Sequence, residues 1–476
     1  MTYDAKGNLV NEVAKSISTK DSQHYVVKLN SGWTYSDGSP VKAQDFVAAW
    51  NYGALSTNAQ LNNYFFAPIA GYDALNAIDA AGNPAPTAKT LSGLKVVSDT
   101  EFTIDLANPQ SDFPLSLGYT AFDPLPPVAF KDMKAFGEAP IGDGPYKLAK
   151  GGWKHNVQVS LIPNPRYSGA QKAKNGGVTF KEYTTPEAAY TDLLAGNLDL
   201  LDGFPSNALK TFKQDLPGHY LNVPVANTAT LTVPSYLPQF EGAAGLLRRQ
   251  AISMAIDRQA IIDKIYFGTK SIATEFTSPS LNGYESHIPG NEALKYNPSK
   301  AKQLWEQANS IRPWDSSQPL TIAYNGDGAG NKEFIEAITN QIKNTLGIDA
   351  EPKPYATFKE FRDVINSHKL DGLARSAWLG DYPSLQDFLG PQYQTGAGAN
   401  DGGYSNPDFD SEMAKAASAP TSQEGNVIYN KAQAILMKDL PVLPLWYADQ
   451  QAGWSSNVSH VKLSWSGNIL YYSVTT

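Results

Sequence analysis

"LTIAYNGDGAGNKEFIEAITNQIKNTLGIDAEPKPY" occupies residues 320–355 and divides into three parts. Residues 320–325 read as a strand, 331–347 as a helix and 348–355 as a second strand, so the stretch is a βαβ unit. Parallel strands joined by a helix are the mark of a mixed α/β protein. Towards the C-terminus, "DGLARSAW" (371–378) reads as another strand, and "VIYNKAQAILMKDLPVLPLWY" (427–447) as a helix running into a strand. Towards the N-terminus, 245–268 read as an amphipathic helix pair, and 176–205 as strand, helix and strand. Further back, 24–30 alternate as a strand and 94–108 read as a hairpin turning around 98–100. Residues 41–55 read as a helix that Ser39 and Pro40 are placed to start. Residues 76–93, rich in Gly, Pro and Ala, read as a long loop, and no internal repeat is present. Pro-rich joints near 205, 224–238 and 441–444 mark crossings between lobes.

Composition narrows the function classes. With 476 residues, 42% hydrophobic and 18% charged, the chain reads as globular, with length for two or three domains. Its 25 Tyr and 9 Trp suit binding clefts, where a large ring keeps a polar handle. A net charge of −8 without a basic block argues against nucleic acid and against an anionic membrane surface. The lack of cysteine removes disulfides, thiolate catalysis and Cys-based zinc sites. No apolar run approaches the roughly 20 residues of a membrane span. The opening "MTYDAKGNLVNEVAKS" carries no apolar signal segment, so the chain is expected either to be cytosolic or to lack its natural start.

Several local motifs fail when their spacing is checked. "GDGAGN" (326–331) follows a strand and opens a helix, with Glu351 about twenty residues on, as a dinucleotide fingerprint would. The third required glycine is Asn331, however, so a plain strand-to-helix loop is favoured. As a calcium loop, the stretch would have Asn325 and Ala329 at two positions that need carboxylates. "NPDFDSEM" (406–413) groups three acids where a helix start explains them. The six His are scattered without metal spacing, and no G-x-S-x-G elbow exists. No cofactor and no metal are called for.

A set of ordered motifs points elsewhere. "WTYSDGSPVKAQDFVAAW" (33–50), "SGLKVVSDTEFTIDLANPQSDFP" (92–114), "PIGDGPYKL" (140–148), "NPRYSG" (164–169), "DLLAGNLDL" (192–200), "RRQAISMAIDRQAI" (248–261) and "YNPSKAKQLWEQA" (296–308) come in that order. They resemble the oligopeptide- and dipeptide-type peptide-binding proteins of ABC importers, solute-binding protein family 5. Ser168 stands where that family usually has Trp. The resemblance implies a two-lobe periplasmic-binding-protein-like (Venus flytrap) α/β fold with an extra subdomain on the first lobe. On this chain it implies a subdomain at 1–125, first lobe at 126–225, second lobe at 226–443 and a return to the first lobe at 444–476. It also implies an extracytoplasmic protein, periplasmic or a surface lipoprotein, and a start lost ahead of residue 1. The implied partners are a peptide ligand and a membrane permease, with the protein itself a monomer and not an enzyme.

"ARSAWLGDYPSLQDFLG" (374–390) is the stretch where resemblance and chemistry meet. It sets Arg375 and Asp381 six residues apart among Trp378, Leu379, Tyr382, Phe388 and Leu389. The resemblance assigns Asp381 to the ligand's α-ammonium and Arg375 to its carboxylate. A closed cleft excludes water, so a charge there wants a partner. Six extended residues span at most roughly 20 Å, comparable to a short extended peptide. Further carry-overs are Trp378, Asn400, Tyr64, Trp446 and Tyr447, each equally readable as core. Competing readings are the same fold with a sugar or nickel chelate, a carboxylate-based hydrolase, and a sensory module.

Overall fold

The computed structural model describes residues 1–328 and 330–476. Ala329, invoked above for the calcium loop, lies outside the described residues. Leu320–Asn325 and Ala350–Tyr355 pair in parallel, in register from Leu320 with Ala350 to Asn325 with Tyr355. The helix Asn331–Leu346 joins them and buries Phe334, Ile335, Ile338 and Ile342, so the βαβ unit forms as expected. That helix ends at Gly347, whose φ of 69° is left-handed and favours glycine.

Among the described residues this unit sits at the edge of a seven-stranded sheet. Inward from it come Leu373–Leu379, Tyr220–Thr232, Val442–Trp454 and Leu200–Asp202, with Lys270–Ile272 also pairing to Val442–Trp454. The two thirteen-residue strands, Tyr220–Thr232 and Val442–Trp454, run antiparallel through the middle. Their register breaks between Pro224 and Thr228, where proline cannot donate to the ladder. On one side of the break lie 200–202, 220–224 and 449–454, and on the other all the remaining strands.

A separate four-stranded antiparallel sheet is built from Ala14–Thr19, His24–Leu29, Glu101–Asp105 and Leu94–Ser98. Its core gathers Tyr25, Phe46, Trp50, Phe102, Phe113 and Phe122. Trp50 meets Phe122 edge-on at 5.1 Å and donates its indole N–H to the Phe122 carbonyl at 2.9 Å. The adjoining helix, Ala43–Ala54, starts later than Ser39 and Pro40 suggested. Ser39 is held in a turn by Asp37, and the Asp45 carboxylate instead accepts the Lys42 N–H at 2.9 Å. The long loop at 76–93 carries no regular element, and the hairpin Leu94–Ser98 with Glu101–Asp105 turns where expected. The acids of 406–413 open the helix Pro407–Ala417, capped by the Asn406 side chain.

Candidate functional site

Leu373–Leu379 is the strand on which the two candidate charges depend. It pairs antiparallel with 227–232 on one side and in parallel with Leu320–Asn325 on the other. Past Leu379 the chain leaves the sheet at Gly380, whose N–H donates to Ala226 O at 2.8 Å. A Cβ at Gly380 would come within 2.9 Å of Trp465 and 3.0 Å of Phe388, so only glycine lets the strand end pass between those rings. Asp381 follows at once. The next turn is capped by Ser384, whose hydroxyl accepts the Gln386 N–H, and opens the helix Leu385–Tyr393.

Asp381 is half-buried, and its neighbours come from distant segments. Tyr119 faces its carboxylate, and Tyr64 and Tyr3 lie close enough to feel its charge. Tyr64 stacks on Phe65 at 4.7 Å, and Phe65 on Tyr119 at 4.5 Å, so the aromatic wall belongs to the four-stranded body. Burial pushes the Asp381 carboxyl up to about 6, and the Tyr119 hydroxyl opposes that only in part. Among the described residues no ion pair within 4.0 Å involves Asp381.

Beneath Asp381 lies Asp387, which is fully buried. Its Oδ2 accepts the Asp381 backbone N–H at 2.9 Å and the Trp378 indole N–H at 3.3 Å. Its Oδ1 is buried without a partner. Burial first, and the Asp381 charge second, hold the Asp387 carboxyl well above the usual range. Asp387 was not among the candidates read from the sequence, and its place in the first turn of Leu385–Tyr393 gives no local signal of a site, since the helix dipole alone accommodates an acid there.

Arg375 marks the other end of the strand. Its Nη1 donates to Asn325 Oδ1 at 3.0 Å, a neutral acceptor, and burial lowers its pKa. It lines a cavity of about 250 Å³ with Ser376, Ala377, Trp378, Phe361 and Arg362. Arg362 is already paired with Asp401 through two bonds of 2.6 and 2.9 Å. Nearby, Asp327 accepts from Asn325 and from the Phe358 N–H, and Asn331 donates to Asn325.

The structure therefore brings Tyr64, Trp378 and Asp381 together and keeps Arg375 further along the strand. The other candidates are engaged elsewhere. Asn400 donates to the Gln394 and Tyr404 carbonyls and accepts the Tyr404 N–H, which clips its own loop. Trp446 is 1% exposed, edge-on to Tyr266 and Phe334. The Tyr447 hydroxyl accepts the Thr274 and Glu275 N–H groups inside the core. Among the described residues, no cluster of His, Asp and Glu has the makings of a metal site, and no helix is long and apolar enough to cross a membrane.

Comparison with known proteins gives the family. Residues 8–400 match the bacterial extracellular solute-binding proteins, family 5. The chain is 27% identical over 455 residues to the periplasmic murein peptide-binding protein MppA of Escherichia coli, covering 94% of this chain and 81% of that one. It is 25% identical to the oligopeptide-binding protein OppA of Bacillus subtilis, covering 98% and 85%. The structure of Haemophilus influenzae OppA in complex with RPPGFSPFR superposes with a TM-score of 0.82 at 22% identity, over 100% of this chain and 91% of the other. The expected two-lobe α/β architecture holds, and the chain belongs to the bacterial extracellular solute-binding proteins of family 5.

Proposed function

We propose that this protein captures peptides between its two lobes outside the cytoplasm and delivers them to the permease of an ABC importer, without altering them covalently. The observation that carries this reading is Asp381, a half-buried carboxylate with an aromatic wall and no cationic partner among the described residues. Such a charge is costly until a cation arrives, and a peptide's α-ammonium supplies one. Relatives named for murein peptides and oligopeptides support the ligand class. Arg375, tied to a neutral amide, retains donors for a carboxylate at the far end. The family's extracellular description supports the location. A lipid anchor and a monomeric state complete the proposal.

Titration calorimetry with tri- to hexapeptides tests it. Peptides with a free amino terminus bind, and N-acetylated ones bind weaker by at least about 30-fold, as expected for losing a desolvated charge pair. Equal affinity for both forms, or binding of sugars or nickel chelates in place of peptides, overturns the reading. Turnover of a bound peptide or glycoside would move the protein to the hydrolases.

A further inference from the structure

The peptide reading uses Asp381 and leaves Asp387 without a task. Asp387 is fully buried and directly attached to the site, through the Asp381 N–H and the Trp378 indole. These two donors share Oδ2 and the Tyr382 N–H lies near the carboxylate, while among the described residues Oδ1 has no partner within hydrogen-bond distance. An ionised carboxylate in that setting would leave one charged oxygen unsolvated and unbonded, the arrangement proteins avoid most strongly. A protonated one needs no counter-charge, and leaving a neutral oxygen without a partner costs far less than leaving a charged one so.

Among the described residues the groups around it offer no cation. Asp381 adjoins it, Tyr3 and Tyr382 face it, Tyr64 and Tyr119 lie beyond Asp381, and Asp112 and Tyr429 stand behind Tyr382. The Tyr3 hydroxyl donates to Leu115 O and the Tyr382 hydroxyl to Gln386, so neither compensates Asp387. Asp112 is itself bonded to Ser384 and Gln110. Among the described residues no Lys, Arg or His forms an ion pair with either Asp381 or Asp387. Two carboxylates so placed cannot both be ionised at little cost, and the deeper one keeps the proton.

We propose that Asp387 is the positioning residue of the ammonium site and works in its neutral, protonated form, so that Asp381 alone carries the charge that meets the ligand and peptide capture is coupled to proton release. Asp387 fixes the strand end and the Trp378 ring by accepting their N–H groups. Asp381 is partly protonated in the free protein at mildly acidic pH, and an arriving ammonium displaces that proton into the solvent. The proposal rests on the peptide reading for its coupling, but the state of Asp387 can be read without any ligand.

Two measurements test it. In the free protein, infrared difference spectra between wild type and Asp387→Asn at about pH 8 show the carbonyl stretch of a protonated carboxylic acid in wild type only. No such band means that Asp387 is ionised, and the proposal falls whatever the ligand turns out to be. In calorimetry repeated in buffers of different ionisation enthalpy, peptide binding releases about half a proton near pH 6 and almost none by about pH 8. Asp387→Ala weakens binding at least about tenfold by freeing the two N–H groups, and Asp387→Asn, which keeps the acceptor, restores affinity to within about threefold and keeps the same pH midpoint. Asparagine failing as badly as alanine, a shifted midpoint, or no proton release near pH 6 overturns it. If no peptide binds wild type while the infrared band is present, the peptide reading fails and the neutral Asp387 stands.

Discussion

Arg258 is buried and Arg375 half-buried, and neither forms an ion pair with a carboxylate among the described residues, yet they are treated in opposite ways. Arg258 is 2% exposed, and its guanidinium donates to the carbonyls of Pro444, Ser253, Ile256 and Leu294 and to the Ser253 hydroxyl. Among the described residues Arg375 has a single side-chain hydrogen bond, to Asn325. The acids repeat the contrast. Glu275 is fully buried and bonded to the Thr277 N–H and hydroxyl and to the Tyr447 hydroxyl, whereas Asp381 has only Tyr119 facing it. Arg258 and Glu275 are saturated by their own chain, and Arg375 and Asp381 are left open. Incomplete satisfaction, more than burial, separates a charge that holds the fold from one that awaits a partner.

That contrast can be broken by mutation. The largest effect is expected at Arg258: Arg258→Met strips five acceptors of their donor and lowers stability by about 4 kcal/mol in urea unfolding. If the midpoint hardly moves, the saturated network is not structural. Asp381→Asn comes next, with peptide affinity falling by about 3 kcal/mol in calorimetry while the thermal midpoint stays in place. Equal losses of stability in both variants would erase the distinction between the two classes.

Glu275 makes stability depend on pH. Burial pushes Glu275 up to about 7 from its ordinary 4.5. Between those values the folded state keeps a proton that the unfolded state has lost, so stability is greatest below the window and falls as pH rises through it. The contribution lost is of order 3 kcal/mol. Glu275→Gln flattens that part of the stability profile between 4.5 and 7, and an unchanged slope shows that Glu275 does not titrate there. The smallest effect is at the other end of the site. Arg375→Gln weakens peptides with a free C-terminal carboxylate by about 1.5 kcal/mol, roughly tenfold, and amidating the peptide costs the variant nothing more.

Much of this could be read in the sequence where the signal is local. The βαβ unit at 320–355, the helix pair at 245–268 and the hairpin at 94–108 all form, because periodicity and turn chemistry act within a few residues. The start of Ala43–Ala54 was misplaced because two capping signals compete, and Asp45 prevails over Ser39. The charges at Arg375 and Asp381 were legible because they break an aromatic run. Their surroundings were not, since Tyr3, Tyr64 and Tyr119 reach Asp381 only through tertiary packing. Trp446, Tyr447 and Asn400 show the converse: an aromatic or amide near a crossing looks available until its partners are seen.

The register break between Pro224 and Thr228 has a consequence for how the gene can be cut. Pro224 pairs with Asp449 and Thr228 with Tyr447, so the chain departs and returns on neighbouring strands. Such strands lie about 5 Å apart. In connectivity, everything between 228 and 447 is a cassette whose two ends leave side by side. A cassette of that kind can be exchanged between relatives at two junctions, carrying Arg375 and Asp381 into a foreign host while leaving Tyr64 and Tyr119 behind. Asp381 and the aromatic wall beside it thus lie on separately exchangeable stretches of the chain.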